Sequence, residues 1–290
     1  RKKPLLALVS RVSRERPAFD VRCAYPHASG YVFNERYMDA LEWVARYYIS
    51  TPMKALDVFW PSDFGKYLDA VAADVGTEVA ASGTNGADAG TDVAPVGTGE
   101  TLAGLEGVAP LTDEQQVALN ALVARLEGNG FRGALLHGVT GSGKTRVYQE
   151  LARVALSRGL KILILVPEIG LTPQTAGRFE SFLGVPVQVL HSALSAPKKR
   201  SAYVSVLKGE ARVVLGTRSA ILAPFDFDVV VLDEEHDSSF KQQDPAPRYH
   251  TRELAFHLAH KYGALVVLGS ATPALETFYN ANQGHLELLS

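Results

Sequence analysis

The sequence predicts an α/β fold: a parallel β-sheet covered by helices on both faces, preceded by a smaller N-terminal domain and a linker. Two observations lead to this fold class. From residue 111 onward, short apolar runs alternate with segments of helical periodicity. The runs are apolar throughout rather than alternating, which indicates strands that are buried on both faces. They lie at residues 162–166, 185–190, 213–215, 229–232 and 265–268.

The first 68 residues are expected to form the smaller domain. They contain a β-like apolar run at residues 5–9 and then a helix over residues 35–49. The helix should have one buried face, because four large residues fall on one stripe at helical spacing. These residues are Tyr37, Leu41, Val44 and Tyr48.

Residues 69–109 differ in composition from the segments on either side. They are rich in Ala, Gly, Thr and Val, they contain no Lys or Arg, and their charges are all negative. Such a segment has too little large apolar surface to offset the entropy that the chain loses on ordering. We expect a flexible acidic linker, followed by the main domain at residues 110–290.

Composition and charge limit the kinds of protein that this sequence can encode. The chain has 290 residues, 47% of them hydrophobic, and no apolar run as long as a membrane span. Its single cysteine, Cys23, excludes an internal disulfide and a multi-cysteine metal site. The net charge of −2 gives no overall preference for nucleic acid, although residues 1–22 are rich in Arg and Lys and leave a DNA partner open. We expect a cytoplasmic protein with no membrane partner.

A glycine-rich stretch at residues 138–145, Gly-Val-Thr-Gly-Ser-Gly-Lys-Thr, fits the pattern of a nucleotide phosphate loop. An apolar run precedes it, and apolar residues at helical spacing follow it, so the loop joins a strand to a helix. A chance match in a chain of this length is roughly a one-in-a-hundred event. The context therefore indicates a P-loop domain of the RecA-like kind, with its site at the carboxyl ends of the strands.

The phosphate loop supplies the first set of candidate site residues. Its backbone N–H groups and the helix N-terminus would bind a polyphosphate. Lys144 would reach the β- and γ-phosphates, and the Thr145 hydroxyl would bind Mg²⁺. The loop residues expected to bind nucleotide are Gly138, Thr140, Gly141, Ser142, Gly143, Lys144 and Thr145.

A second set follows the apolar run at residues 229–232, which ends in Asp-Glu-Glu-His. A carboxylate at the end of a buried strand is costly unless it holds a cation, so Asp233 is expected to be the second Mg²⁺ ligand. Glu234 would orient or deprotonate the attacking water, and His236 would sense the γ-phosphate or pass that signal on. Lys144, Asp233 and Glu234 are thus the expected catalytic residues. The alternative is a solvated acidic turn without chemistry.

Residues 233–236 resemble motif II of helicase superfamily 2, and the other motifs of that superfamily occur along the chain in the order that the family has them. Residues 111–115 are similar to the short glutamine motif, whose Gln115 would read adenine. Motifs Ia, Ib and III are similar to residues 167–174, 216–220 and 269–273. The stretch from residue 111 onward, with the pairs 191–192 and 249–250, resembles the primosomal protein N′ family of bacterial replication-restart helicases. The string Pro-Glu-Ile-Gly-Leu-Thr-Pro-Gln at 167–174 is highly specific to that family.

The resemblance implies residues that bind DNA or couple it to ATP. Small hydroxyls of motifs Ia and Ib would meet DNA phosphates, and Ser270 and Thr272 of motif III would link DNA to the ATP site. Residues 240–250 resemble the aromatic-rich loop of the family, in which Phe240 and Tyr249 would stack on bases. The alternative for this loop is an ordinary surface loop, and Arg218 has a helix cap as its alternative. The remaining DNA candidates are Thr172, Thr217, Arg218, Ser219, Lys241 and Arg248.

In the first domain, residues 43–48 with Pro52 and Pro61 resemble the end of the family's 3′-DNA-end-binding domain. The equal alternative is a packed aromatic stripe. The family pattern and this sequence also differ. Arg146 stands where the family usually has Glu, the second motor lobe is expected to be missing, and the cysteines of the family's zinc site are absent from this chain.

The resemblance implies an ATP-dependent 3′-to-5′ DNA helicase that restarts stalled replication forks, with ATP and Mg²⁺ as cofactors. Forked and single-stranded DNA, primosome proteins and single-stranded DNA-binding protein would be its partners. The chain would be a fragment that binds ATP but does not unwind DNA alone. Two alternatives stay open: a fork-binding scaffold with a vestigial ATP site, and another superfamily 2 DNA translocase.

Overall fold

The computed structural model describes residues 35–50, 54, 55, 58, 67, 109–128 and 131–290. The β-like run at residues 5–9 and nearly all of the predicted linker lie outside the described residues. The described part of residues 110–290 is an α/β unit with one parallel sheet, which confirms the predicted fold class.

All paired strands of the sheet run parallel, in the order β3-β4-β2-β5-β6-β1-β7. Each of the five apolar runs predicted as strands from residue 162 onward overlaps one strand of the sheet. The central strands β2, β4 and β6 are buried along their whole length, as runs covered on both faces must be. The strands are β1 (Arg132–His137), β2 (Ile162–Leu165), β3 (Val187–Leu190), β4 (Val213–Gly216), β5 (Val229–Asp233), β6 (Leu265–Ser270) and β7 (Glu287–Leu289).

Helices cover both faces of the sheet and bury two apolar clusters. One face is covered by α2, α3 and α4, and the other by α1, α5 and α6. The described helices are α1 (Glu35–Tyr47), α2 (Asp113–Leu126), α3 (Lys144–Ser157), α4 (Pro173–Leu183), α5 (Ala196–Leu207), α6 (Thr251–Tyr262) and α7 (Leu275–Asn282). Throughout the described ranges, no helix has the length and apolar character needed to cross a bilayer.

The N-terminal helix α1 packs directly on the sheet domain. Its predicted apolar stripe is confirmed, because Tyr37, Leu41 and Val44 are buried in the same cluster as residues of α6. Asp39 of α1 accepts a hydrogen bond from the His257 ring at 2.7 Å and also pairs with Lys261. The described part of residues 1–68 therefore shares a core with the main domain, and the division into separate domains stays a prediction.

Candidate functional site

The candidate site lies at one edge of the sheet, where the carboxyl ends of β1, β5 and β6 meet. Strand β6 pairs with both neighbours in parallel register, so His137 lies opposite Ser270 and Asp233 lies opposite Gly269. The phosphate loop follows β1, and the acidic stretch 233–236 begins at the end of β5. A parallel sheet thus brings together segments that are about ninety residues apart in the chain.

The phosphate loop has a backbone that depends on its glycines. Gly141 and Gly143 have φ angles of 84° and 85°, in the left-handed region that residues with side chains rarely adopt. Gly143 is followed at once by the 14-residue helix α3. Thr140, Ser142 and Thr145 are exposed around this helix N-terminus. The loop therefore presents free N–H groups and the positive end of a helix dipole, which favour an anion.

Lys144 lies between the phosphate loop and the acidic stretch. Its side chain is buried, and its ammonium group donates hydrogen bonds to the carbonyl oxygens of Gly138, at 2.8 Å, and Val139, at 3.4 Å. The same nitrogen lies 3.6 Å from Glu234 Oε1. The structure thus joins two of the three predicted catalytic residues by a direct charge contact.

Asp233 ends β5 and lies in a partly buried, negatively charged environment. Burial raises the pKa of its carboxyl group, the adjacent Glu234 raises it further, and a hydrogen bond from Tyr148 together with the Lys144 charge opposes the rise. The Asp233 and Glu234 carboxylates lie close enough to repel each other despite the nearby Lys144 ammonium group, so a divalent cation would offset their repulsion. The Asp233 carboxylate and the Thr145 hydroxyl are hard oxygen ligands of the kind Mg²⁺ prefers. The donor set fits a magnesium nucleotide.

Tyr148 belongs to the site, although the sequence analysis did not predict it. Its hydroxyl donates to Asp233 Oδ1 at 3.1 Å, and burial and the nearby Asp233 raise its pKa well above the ordinary value for tyrosine. The sequence does contain one signal: Tyr148 lies four residues after Lys144, hence on the same face of α3. Gly269 on β6 leaves room for the ring, because a Cβ atom there would lie 1.6 Å from the Tyr148 oxygen.

We expect Gly269→Ala to destabilise the fold. The Tyr148 ring is buried, so the added methyl group forces α3 or β6 to move, and overpacking of this kind costs about 1–3 kcal/mol. The free energy of unfolding in urea measures the loss. Tyr148→Phe removes the nearest atom, so Gly269→Ala should cost less in that background. If Gly269→Ala lowered the free energy of unfolding equally in both proteins, the contact with the Tyr148 oxygen would not be the cause of the destabilisation.

Gln115 contacts the phosphate loop rather than standing apart from it. Its Oε1 accepts from the Thr112 N–H at 3.1 Å, in a capping box that begins α2, and its Nε2 donates to the Ser142 carbonyl at 2.9 Å. A Cβ atom at Gly143 would lie 2.3 Å from Nε2, so this glycine is also needed for close approach. The adenine-reading role stays a prediction, and the structure adds a loop-holding contact.

The predicted coupling residues of motifs II and III are in contact with one another. Glu234 has a φ of 48°, an uncommon conformation that functional sites retain at an energetic cost. His236 Nδ1 lies 2.7 Å from Ser270 Oγ, and the Thr272 N–H donates to the same oxygen at 3.0 Å. His236 Nε2 lies 3.4 Å from the Thr272 hydroxyl. The acidic stretch and the end of β6 therefore form one hydrogen-bonded unit.

The small hydroxyls of motifs Ia and Ib occupy different environments. Thr172 is exposed and caps α4, since its Oγ1 accepts from the Thr175 N–H at 3.1 Å. Ser219 is half-buried. Thr217 is buried, which leaves its hydroxyl little surface for a DNA phosphate. The DNA contacts of Thr172 and Ser219 stay predictions.

Arg218 holds the aromatic-rich loop. Its Nη1 donates to the carbonyl oxygens of Ser239, at 2.7 Å, and Lys241, at 3.0 Å. Both carbonyls lie at the end of the short 3-10 helix Ser238–Phe240, so this contact agrees with the helix cap that was the alternative for Arg218. Its contact with DNA stays a prediction. The guanidinium group fixes the start of the loop to the end of β4.

The base-stacking role predicted for Phe240 and Tyr249 is wrong for this structure. Both rings are 0% exposed and belong to the apolar cluster under the loop, so neither has a face to offer a base. Lys241 and Arg248 differ from them: the Lys241 ammonium lies 5.0 Å from the centre of the Tyr48 ring of the N-terminal segment, and Arg248 is exposed. Of these four candidates, Arg248 has the most accessible side chain.

His250 ends the aromatic-rich loop and caps α6 through a hydrogen bond from the Arg252 N–H to its Nδ1, at 3.2 Å. Burial, and then the charges of Arg252 and Lys241, lower its pKa from 6.5 to about 4. As the pH falls below 6.5, an unfolded chain takes up a proton that the folded protein does not bind until about pH 4. The free energy of unfolding should therefore decrease across this interval.

Urea unfolding at several pH values measures this decrease. His250→Asn keeps a good N-cap acceptor but has no titrating ring, so the variant should lose less stability on acidification than the unchanged protein. Parallel losses in the two proteins would assign the acid sensitivity to other groups.

Comparison with known proteins places these features in a family. A family model described as the res subunit of type III restriction enzymes matches residues 109–275. The chain is 46% identical over 182 residues to replication restart protein PriA of Bacillus subtilis. The matched residues are 62% of this chain and 22% of the relative. It is 42% identical over 189 residues to PriA of Haemophilus influenzae, covering 65% of this chain and 25% of the relative.

These relatives confirm the resemblance to the replication-restart family that the motifs indicate. The chain spans about a quarter of the length of the curated relatives it matches. Among solved structures, one of RecG bound to a three-way DNA junction has a TM-score of 0.47 and 21% identity, and covers 62% of this chain and 24% of that chain.

Proposed function

Since the chain belongs to the family described as the res subunit of type III restriction enzymes, we propose that it is the ATP-binding part of a DNA helicase that restarts stalled replication forks. ATP hydrolysis drives 3′-to-5′ movement along single-stranded DNA, and the N-terminal residues 1–68 bind the 3′ end of a DNA strand. The protein works in the cytoplasm with primosome proteins and single-stranded DNA-binding protein. Its curated relatives are replication restart proteins, which supports this choice of process.

The observation that carries the proposal is the cluster of Lys144, Asp233 and Glu234 at one edge of the sheet. Lys144 would bind the β- and γ-phosphates of ATP, and Glu234 would orient the attacking water or accept its proton. Thr145 and Asp233 would hold Mg²⁺, which when bound helps to neutralise the charge that develops on the phosphates. Tyr148 fixes the direction of the Asp233 carboxylate through its hydrogen bond.

The DNA side of the proposal relies on groups in the segments that follow β2, β4 and β5, of which Thr172 and Arg248 are exposed and Ser219 is half-buried. Thr172, Ser219 and Arg248 would contact the sugar–phosphate backbone, which fixes the position of a strand without reading its sequence. His236, Ser270 and Thr272 would pass the state of the nucleotide to these contacts. Their mutual distances of 2.7–3.4 Å would let these three side chains respond together to the nucleotide.

The experiment is a steady-state ATPase assay of the full-length protein with increasing amounts of single-stranded or duplex DNA. We expect single strands to stimulate hydrolysis, and forks with a 3′ single strand to be unwound in preference to forks with a 5′ single strand. ATP binding without stimulation by any DNA would favour the scaffold alternative. Stimulation by duplex but not by single strands would favour another superfamily 2 translocase.

A further inference from the structure

Glu235 and Arg252 form a buried ion pair that the proposed chemistry does not use. The two residues are 1% and 8% exposed. Arg252 Nη1 donates to Glu235 Oε2 at 3.0 Å, and the Thr277 hydroxyl donates to the same oxygen at 2.9 Å. The Ala274 N–H donates to Oε1 at 2.7 Å. Both oxygens of one carboxylate are thus fixed by groups from two other segments of the chain.

Each segment tied to Glu235 has a different place in the proposed motor. Glu235 lies between Glu234 and His236, and its own N–H donates to the Gly269 carbonyl at 3.0 Å. Ala274 and Thr277 lie at the start of α7, directly after motif III. Arg252 lies in the first turn of α6, two residues after the aromatic-rich loop ends. The ion pair therefore connects that loop to the acidic stretch of the ATP site.

The aromatic-rich loop can transmit a displacement to Arg252 because its two ends are joined. Lys241 and His250 form an antiparallel bridge, and the Gln242 N–H donates to the Tyr249 carbonyl at 2.9 Å. Both ends of the loop are therefore joined directly before the first turn of α6, so a displacement of the loop as a unit would also move that turn. Arg252 lies in that turn, and its buried side chain contacts Glu235.

Stability alone gives a poor account of this pair. Two charges lose their hydration on burial, and apolar residues of similar volume often stabilise a protein as well or better. A guanidinium and a carboxylate do provide a fixed direction, because the planar donor fork and the two acceptor oxygens restrict each other's orientation. The pair is therefore suited to setting a position.

We propose that Glu235 and Arg252 are positioning residues that couple the aromatic-rich loop to Glu234 and His236. Single-stranded DNA that displaces the loop would shift Arg252, and Glu235 would transmit this shift to its two neighbours in the ATP site. This inference rests on the proposed function, because it requires DNA to stimulate ATP hydrolysis.

The test measures ATP hydrolysis by the full-length protein over a titration with single-stranded DNA. In the double variant Glu235→Leu/Arg252→Met, we expect the DNA-stimulated rate to fall by about tenfold, the size of typical coupling effects. Affinity for a fluorescent ATP analogue and the thermal unfolding midpoint should stay close to those of the unchanged protein. Arg252→Lys keeps the charge without the fork and should give an intermediate rate. Arg153→Met, which removes a 2.7 Å contact with Glu150 on α3, is the matched control and should respond fully to DNA.

Thr277→Val removes one donor to Glu235 and serves as a second variant if the double variant does not fold; we expect it to weaken the stimulation partially. Full stimulation of every folded variant at the Glu235 network would overturn the inference and leave the proposed function intact. A loss of ATP affinity as large as the loss of rate would also overturn it, since the pair would then only support the site. If DNA does not stimulate the unchanged protein, the proposed function fails and the inference fails with it.

Discussion

Glu234→Gln in the full-length protein is expected to lower the rate of ATP hydrolysis by about two to four orders of magnitude, the usual contribution of a general base. The amide has nearly the same size and can keep the left-handed backbone at this position, but it cannot accept a proton. ATP binding should persist, because the loop contacts of Lys144 do not depend on Glu234. Steady-state ATPase rates and equilibrium binding of a fluorescent ATP analogue measure the two effects separately.

Glu210→Gln provides the matched control for this substitution. Glu210 is exposed, precedes β4 at the opposite end of the strand from the site, and pairs with Lys208 at 3.8 Å. The same chemical change there should leave the ATPase rate unaltered. Hydrolysis at the unchanged rate in Glu234→Gln would remove Glu234 from the catalytic role.

Lys144→Ala is expected to abolish measurable nucleotide binding. A polyphosphate would lose its buried cationic partner, and removal of one member of a buried charge pair costs about 2–5 kcal/mol of binding free energy. Asp233 and Glu234 would also lose the positive charge that tempers their repulsion, which weakens the site for an anion further. Isothermal titration calorimetry with ATP and Mg²⁺ measures the loss, and circular dichroism verifies that the variant folds.

Lys198→Ala removes the same side chain from an exposed position in the first turn of α5 and should bind ATP normally. If Lys144→Ala kept the affinity of the control, the phosphate loop would not be the nucleotide site.

The parts of this protein that depend on local sequence could be predicted. Strands β2, β4, β5 and β6 are continuous apolar runs, and Gly141 and Gly143 allow a backbone that few other residues adopt. Because parallel strands end at a common edge, placing the strands was enough to bring Lys144 and Glu234 together.

The contacts that the sequence did not reveal join residues far apart in the chain. The Tyr148–Asp233 hydrogen bond spans 85 positions, and neither residue type alone indicates the other. Glu235 and Arg252 look like ordinary solvated charges until the fold buries them against Thr277. Phe240 and Tyr249 led to a wrong role, because an aromatic residue in a loop is equally suited to a base and to a core. The bridge between Lys241 and His250 closes the loop over that core, and no local pattern marks it.

The packing of α1 on α6 affects how the chain can be divided or recombined. Leu41 and Val44 of α1 pack in the same apolar cluster as Leu254 and Leu258 of α6, and the Trp43 ring stacks on His257 with centroids 4.8 Å apart. Removal of α1 would expose apolar side chains of α6, so we expect the ATP-binding part to be less stable without it. An N-terminal segment taken from a relative would have to preserve these contacts with α6. We therefore expect substitutions in α1 and α6 to be coupled.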